Sequence, residues 1–176
     1  RAWLHRELVP YFYSYAYRMY ETPTRAAVRR GPMNSSLRVG NELYVPVITE
    51  PTRSTNIVLP FGQWIDYWDE ERVVSGNLVE HPAPKGREPI FLRLGAIIPM
   101  EVERDYTGHG TRASAGSLTV LVYPSGTSSF RYFNDDTGVF TPYVMGVSRG
   151  VLAGPAEEVD GVLVDMSIPL DHEVEV

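Results

Sequence analysis

Two textures follow one another along the chain. In the first, Leu4, Leu8, Phe12, Tyr15 and Met19 recur at spacings of four, four, three and four, the period of an amphipathic helix. Arg6, Glu7, Ser14 and Arg18 fall at the other positions. Pro10 lies inside this pattern and has no N–H to donate. It therefore opens the main helix in its first turn or kinks a longer one. Thr22-Pro23 is a natural stop, because the residue before proline avoids the helical region. Tyrosines at 11, 13, 15, 17 and 20 spread aromatic surface nearly all round this helix, which therefore expects neighbours on more than one face.

Residues 23–36, with Arg25, Arg29, Arg30, Gly31 and Pro32, have the composition of a solvated linker. From about residue 37 the texture changes to short runs punctuated by turn residues. Expected strands are Glu42–Thr49, Asn56–Leu59, Trp64–Trp68, Asn77–His81, Ile90–Leu94 and Ala96–Pro99, then Ser117–Tyr123, Ser129–Asn134, Val147–Val151, Gly161–Ile168 and Glu173–Val176. Roughly ten residues per strand, with no helical pattern between them, predicts a mainly β chain. Its form is one or two antiparallel β-sandwich domains behind one N-terminal amphipathic helix. The expected division is 1–36 for helix and linker, 37–104 for a proximal sandwich and 105–176 for part of a distal β-domain. The Gly/Thr/Ser/Arg-rich stretch 103–116 marks the second boundary.

Composition narrows the classes. With 43% hydrophobic residues, the 176-residue chain is too apolar for wholesale disorder. A net charge of −6 gives no general attraction to polyphosphate, so no nucleic-acid partner is expected. The absence of cysteine removes disulfides, thiolate zinc sites and cysteine nucleophiles, while leaving the compartment open. No apolar run approaches the roughly 20 residues of a membrane span, and no membrane partner is expected. The start, Arg1-Ala2-Trp3-Leu4-His5-Arg6, reads like the middle of something.

Several runs resemble glycoside hydrolase family 31, the α-glucosidase and α-xylosidase group. Arg6–Ala16 looks like its last barrel helix, and Gly40–Pro51 like the strand opening its proximal C-terminal sandwich. Leu59-Pro60-Phe61-Gly62-Gln63-Trp64-Ile65-Asp66-Tyr67-Trp68 is similar to its most distinctive sandwich motif, and Pro89–Met100 to the segment closing that sandwich. Leu118–Gly138 resembles the start of its distal β-domain. The resemblance implies relatives that hydrolyse α-glycosides with retention. It also implies that their nucleophile and acid/base aspartates lie on earlier barrel strands, ahead of this chain. Where the family completes its barrel, this chain has the short arginine-rich segment 23–36.

Chemistry inside the chain is sparse. A retaining glycosidase needs two carboxyls roughly 5–5.5 Å apart. Asp69, Glu70 and Glu71 read as a solvated turn, and Asp135 and Asp136 as turn residues bonding their own backbone. The Asn134–Gly138 cluster lacks the ligand alternation of a calcium loop. His5, His81, His109 and His172 have no metal-ligand spacing. Gly108-His109-Gly110 is no phosphate cradle, and no G-x-S-x-G elbow occurs. No residue is assigned to catalysis or metal binding, and no cofactor is expected.

Trp64, Asp66 and Trp68 are the candidate carbohydrate-binding residues. In one strand they share a face, so two indoles flanking a carboxylate form a sugar platform or fill a sandwich core. The expected role is the non-catalytic C-terminal portion of an α-glucosidase-like hydrolase, bracing a catalytic barrel. The alternatives are a carbohydrate-binding module using Trp64 and Trp68, or an interaction domain docking through the Tyr-rich helix. Expected partners are a glycosidase's catalytic barrel, a second copy through that helix, or an oligosaccharide.

Overall fold

The computed structural model describes residues 2–23, 26–32, 36–49, 52–75, 78–84, 87–101, 118–123, 125, 127–133, 142–148, 151–153, 157–159, 162–164 and 167–169. They fall into two compact units, residues 26–94 and residues 1–25 with 95–176. From sequence the chain divides after 36 and 104; the compact units part after 25 and 94.

In residues 26–94, short runs rich in β-branched and aromatic residues pair into antiparallel ladders. The strands are β1 (Val28–Arg30), β2 (Ser36–Val39), β3 (Leu43–Pro46), β4 (Ser54–Ile57), β5 (Gln63–Asp66), β6 (Asp69–Ser75), β7 (Val79–Pro82) and β8 (Phe91–Arg93). Six of them form one sheet in the order β1-β2-β3-β8-β5-β6, and β4 pairs with β7 in a separate ribbon. Register puts Tyr44 opposite Phe91, Phe91 opposite Asp66 and Trp64 opposite Val74, all on one face. That face closes on Ile57 of β4 and Leu59 just beyond it, giving a core of Tyr44, Ile57, Leu59, Trp64, Val74 and Phe91. Each such side chain contributes about 1.5–3 kcal/mol by leaving water. Leu43, Ile65 and Leu92 occupy the other face and are also buried. The expected linker is partly strand, since β1 and β2 form a hairpin within 28–39. Asp69, Glu70 and Glu71 begin strand β6 rather than making a turn.

The second unit opens with α1 (Ala2–Glu7) and α2 (Val9–Glu21). Pro10 sits in the first turn of α2, where its missing N–H costs nothing, so it starts the main helix. The buried stripe is rotated from the one the apolar spacing suggests. Glu7, Leu8, Tyr11, Ser14 and Tyr15 are buried, while Met19 is exposed and Phe12 half-buried. Two polar residues thus take places on the inner face.

The remaining strands are β9 (Ile97–Glu101), β10 (Leu118–Val122), β11 (Ser128–Phe133), β12 (Pro142–Ser148), β13 (Val151–Ala153), β14 (Glu157–Val159), β15 (Val162–Val164) and β16 (Ser167–Pro169). β9 pairs with β10, β14 with β15, and β11-β12-β13-β16 form a four-stranded antiparallel sheet. The runs expected as single strands at 147–151 and 161–168 are each divided between two strands. Helix α2 lies against β9 and β11.

Candidate functional site

The motif at the centre of the first unit begins with a turn. Pro60-Phe61-Gly62 reverses the chain between β4 and β5, with Gly62 at φ 128, a conformation that glycine adopts at least cost. Trp64 ties the turn down, its Nε1 donating to the Pro60 carbonyl at 2.9 Å. The indole itself is wholly buried. Its rings meet Tyr44 at 5.8 Å between centroids, within the range of a favourable aromatic pair.

Asp66 follows on the same face and is 4% exposed. Its Oδ1 accepts the backbone N–H of Trp68 at 3.0 Å, folding the chain sharply after β5. Its Oδ2 lies 2.6 Å from Nε2 of His81 on β7, a bond that joins the ribbon to the six-stranded sheet. His81 is 5% exposed and meets the Phe91 ring edge-on at 5.1 Å. Its Nδ1 has no hydrogen-bond partner among the described residues. A second polar tie runs from the Tyr44 hydroxyl, which donates to the Val58 carbonyl at 2.6 Å. Burial holds the Tyr44 phenol above its ordinary range, and a hydrogen bond with Ser36 opposes that shift.

Trp64, Asp66 and Trp68 therefore do not present one surface. The shared face requires a strand running through residue 68, but β5 ends at Asp66 and its register with β6 shifts after Ile65. Trp64 offers no exposed ring, and both Asp66 oxygens are engaged within the fold. Trp68 alone is half-buried. Its Nε1 donates to the Glu88 carbonyl at 2.7 Å, Tyr67 meets its ring edge-on, and the Arg87 guanidinium lies 5.4 Å from its centroid. His81 is the residue that a scan for ligand spacing passes over. Strand alternation reveals it, because Val79, two residues earlier, packs against the same core.

In the second unit the helix tyrosines meet the aromatic residues of β11. Tyr11 stacks on Phe130 at 5.6 Å and Tyr17 on Phe133 at 4.1 Å. Ser14 Oγ donates to the Pro10 carbonyl at 2.8 Å and accepts the N–H of Phe133 at 3.0 Å, which explains a hydroxyl on the inner face. Arg131 binds Glu21 through two contacts, and Arg18 donates to the Arg131 carbonyl. Val9, Tyr13, Ala16 and Tyr20 follow at i, i+4, i+7 and i+11 and are all exposed, the Tyr13 ring also meeting Phe133 at 5.5 Å. Tyr20 is 86% exposed.

Among the described residues, no three His, Asp or Glu side chains lie together in a way that could hold a metal ion. Asp135, Asp136, the Asn134–Gly138 cluster, Gly108-His109-Gly110, His172 and the expected strand Glu173–Val176 lie outside the described residues. No helix among the described residues is long and apolar enough to cross a membrane.

Residues 12–98 match the Glycosyl hydrolase family 31 C-terminal domain. The chain belongs to this family, in its C-terminal region. Over 150 residues, 76% of its length, it is 34% identical to a 1,6-alpha-glucosyltransferase of Sporosarcina globispora and spans 11% of that protein. It is 33% identical over 103 residues to an isomaltosyltransferase of the same organism, with 56% of this chain and 9% of that protein covered. Its fold is similar to that of an uncharacterized Listeria monocytogenes EGD-e protein crystallised in complex with α-D-glucose, β-D-glucose, magnesium and calcium. That similarity has a TM-score of 0.75 at 25% identity, over 88% of this chain and 16% of the other. The chain thus spans about a tenth of the two transferases. In family 31 enzymes such a C-terminal domain sits within the chain that holds the catalytic domain.

Proposed function

We propose that this chain is the non-catalytic C-terminal portion of an enzyme acting on α-glucosyl linkages, and that it braces that enzyme's catalytic barrel. The family 31 C-terminal match over residues 12–98 carries this reading. The names of the two Sporosarcina globispora relatives, a 1,6-alpha-glucosyltransferase and an isomaltosyltransferase, support the choice of linkage. Asp66, the one carboxylate of the Trp64–Trp68 motif, is buried and bonded to the Trp68 N–H and to His81, in keeping with a packing role. The brace is the outward stripe of α2. Val9 and Tyr13, each 44% exposed, and Tyr20 give a barrel an apolar row at helical spacing.

Two assays test the reading. The purified chain, given aryl α-glucosides and isomaltose, should show no turnover. Turnover abolished by substituting any carboxylate of the chain would overturn the non-catalytic role. For the brace, this chain replaces the matching 150 residues of the Sporosarcina globispora transferase. The chimera should keep its glucosyl transfer and lose it, or its thermal stability, on Tyr13→Asp/Tyr20→Asp. Indifference to that double change sinks the bracing role.

A further inference from the structure

After β5 ends at Asp66, the chain turns through Tyr67 and Trp68 into β6, which starts at Asp69. Two hydrogen bonds fasten this turn to the segment that leads into β8. The Tyr67 N–H donates to the Ile90 carbonyl at 2.9 Å, and Trp68 Nε1 donates to the Glu88 carbonyl at 2.7 Å. That segment is itself folded back, the Arg87 N–H donating to the Pro84 carbonyl at 3.1 Å. The Trp68 indole is thus held at its nitrogen edge, and the buried Tyr67 ring meets it at 88° with centroids 4.9 Å apart. Its plane is set before any ligand arrives, which removes part of the cost of binding. Unlike Trp64, Trp68 is only half-buried. The Arg87 guanidinium lies 5.4 Å from the ring centroid, and Asp69 follows Trp68 directly in the chain. Both of these charged residues are exposed. A cation over a ring at an exposed site is held weakly, so a ligand can take its place on the indole.

We propose that Trp68, Arg87 and Asp69 form a surface site for a neutral hexopyranoside. A pyranose ring has an apolar C–H face and a rim of hydroxyls. The face stacks on the indole, as apolar groups do on an aromatic ring. The guanidinium only donates and the carboxylate only accepts, so together they meet hydroxyls in either role. One half-buried indole between charged side chains matches a single sugar ring in size. It falls far short of the roughly 800 Å² that a stable protein partner covers. A glucosyl unit suits the site because its equatorial hydroxyls leave its faces flat; that choice of sugar rests on the function proposed above. The site keeps Trp68 from the face expected in the sequence and drops Trp64 and Asp66, which are closed within the fold.

Proton–nitrogen correlation spectra of the whole chain, titrated with isomaltose to about 20 mM, test this. The Trp68 indole N–H and the Arg87 side chain should shift with a Kd on the order of 1 mM, while the Trp64 indole stays still. Glycerol at the same concentration, which has hydroxyls and no ring face, should move none of them. Trp68→Ala should abolish binding. Arg87→Ala and Asp69→Ala change only exposed side chains and should each weaken it by about fivefold, the worth of one hydrogen bond. These two decide the matter if Trp68→Ala fails to fold. A Trp68 signal unmoved at the highest sugar concentration overturns the site. So do equal shifts with glycerol, binding retained in Trp68→Ala, or binding unchanged in both exposed-residue variants. Each of these failures leaves the non-catalytic reading intact, since that reading is tested by turnover.

Discussion

Replacing His81 by leucine is the most informative perturbation of this fold. The Asp66 carboxylate and the His81 ring are 5% and 6% exposed in their side chains and bond at 2.6 Å. Without His81, the carboxylate retains the Trp68 N–H and loses its partner from the ribbon. Breaking a buried pair from one side costs about 3–5 kcal/mol, because a desolvated charge is left behind. Asp66→Leu strands two groups, His81 Nε2 and the Trp68 N–H, at about 1–3 kcal/mol each. If the two effects were independent, the double variant would lose about 5–11 kcal/mol, comparable to the whole stability of a typical domain. With both partners apolar, however, only the Trp68 N–H remains, and the expected loss is about 1–3 kcal/mol. Urea unfolding followed by the fluorescence of Trp64 and Trp68 measures all three variants. A His81→Leu loss below about 1 kcal/mol, or a double loss equal to the sum of the singles, would refute the reasoning.

Three further expectations follow from single contacts. Ser14→Ala orphans the buried Phe133 N–H and should cost about 1–3 kcal/mol, with faster hydrogen exchange at that amide. Tyr44→Phe should cost about 1 kcal/mol at neutral pH, from the lost bond to Val58, and should flatten the alkaline fall in stability. The sign follows from burial raising the folded phenol above its ordinary value of 10.0: this contribution is fully present below that pH and fades as pH rises through the folded value. Urea midpoints from pH 8 to pH 11 report it. Gly31→Ala should cost about 1–3 kcal/mol in the same assay, because a Cβ there would stand 2.7 Å from Tyr44 Cε2.

Much of this architecture is legible in the chain because alternation and turn residues are local signals. The strands at 43–46, 63–66, 91–93, 97–101, 118–122 and 128–133 lie where those signals put them. What escapes is decided by partners far along the chain. Asp69-Glu70-Glu71 has the composition of a turn, and becomes strand because Gln63–Asp66 lies beside it. Ser14 looks like a surface residue until Phe133, 119 positions away, donates to it. Trp64, Asp66 and Trp68 illustrate a different limit. Period two gives them a common face only while the strand continues, and Asp66 itself ends it by accepting the Trp68 N–H. The same carboxylate that suggests a sugar contact is the one that turns the chain away.

That carboxylate also bears on why a core of tyrosine, tryptophan and phenylalanine contains an ion-forming pair at all. Apolar contact is non-directional, so a two-stranded ribbon can sit on a sheet in several registers at similar energy. Sliding the β4–β7 ribbon by two residues would keep the same alternate positions inward and leave Asp66 without His81. The pair therefore penalises the slipped register by the cost of a buried, half-bonded carboxylate, even where it adds little to the correct one. On this hypothesis the Asp66→Leu/His81→Leu variant stays folded but loses its single register. Its amide resonances along Ser54–Ile57 and Val79–Pro82 should broaden or double, while those of α2 and β11 stay sharp. A double variant with one sharp set of ribbon resonances would show that apolar packing alone specifies the sandwich.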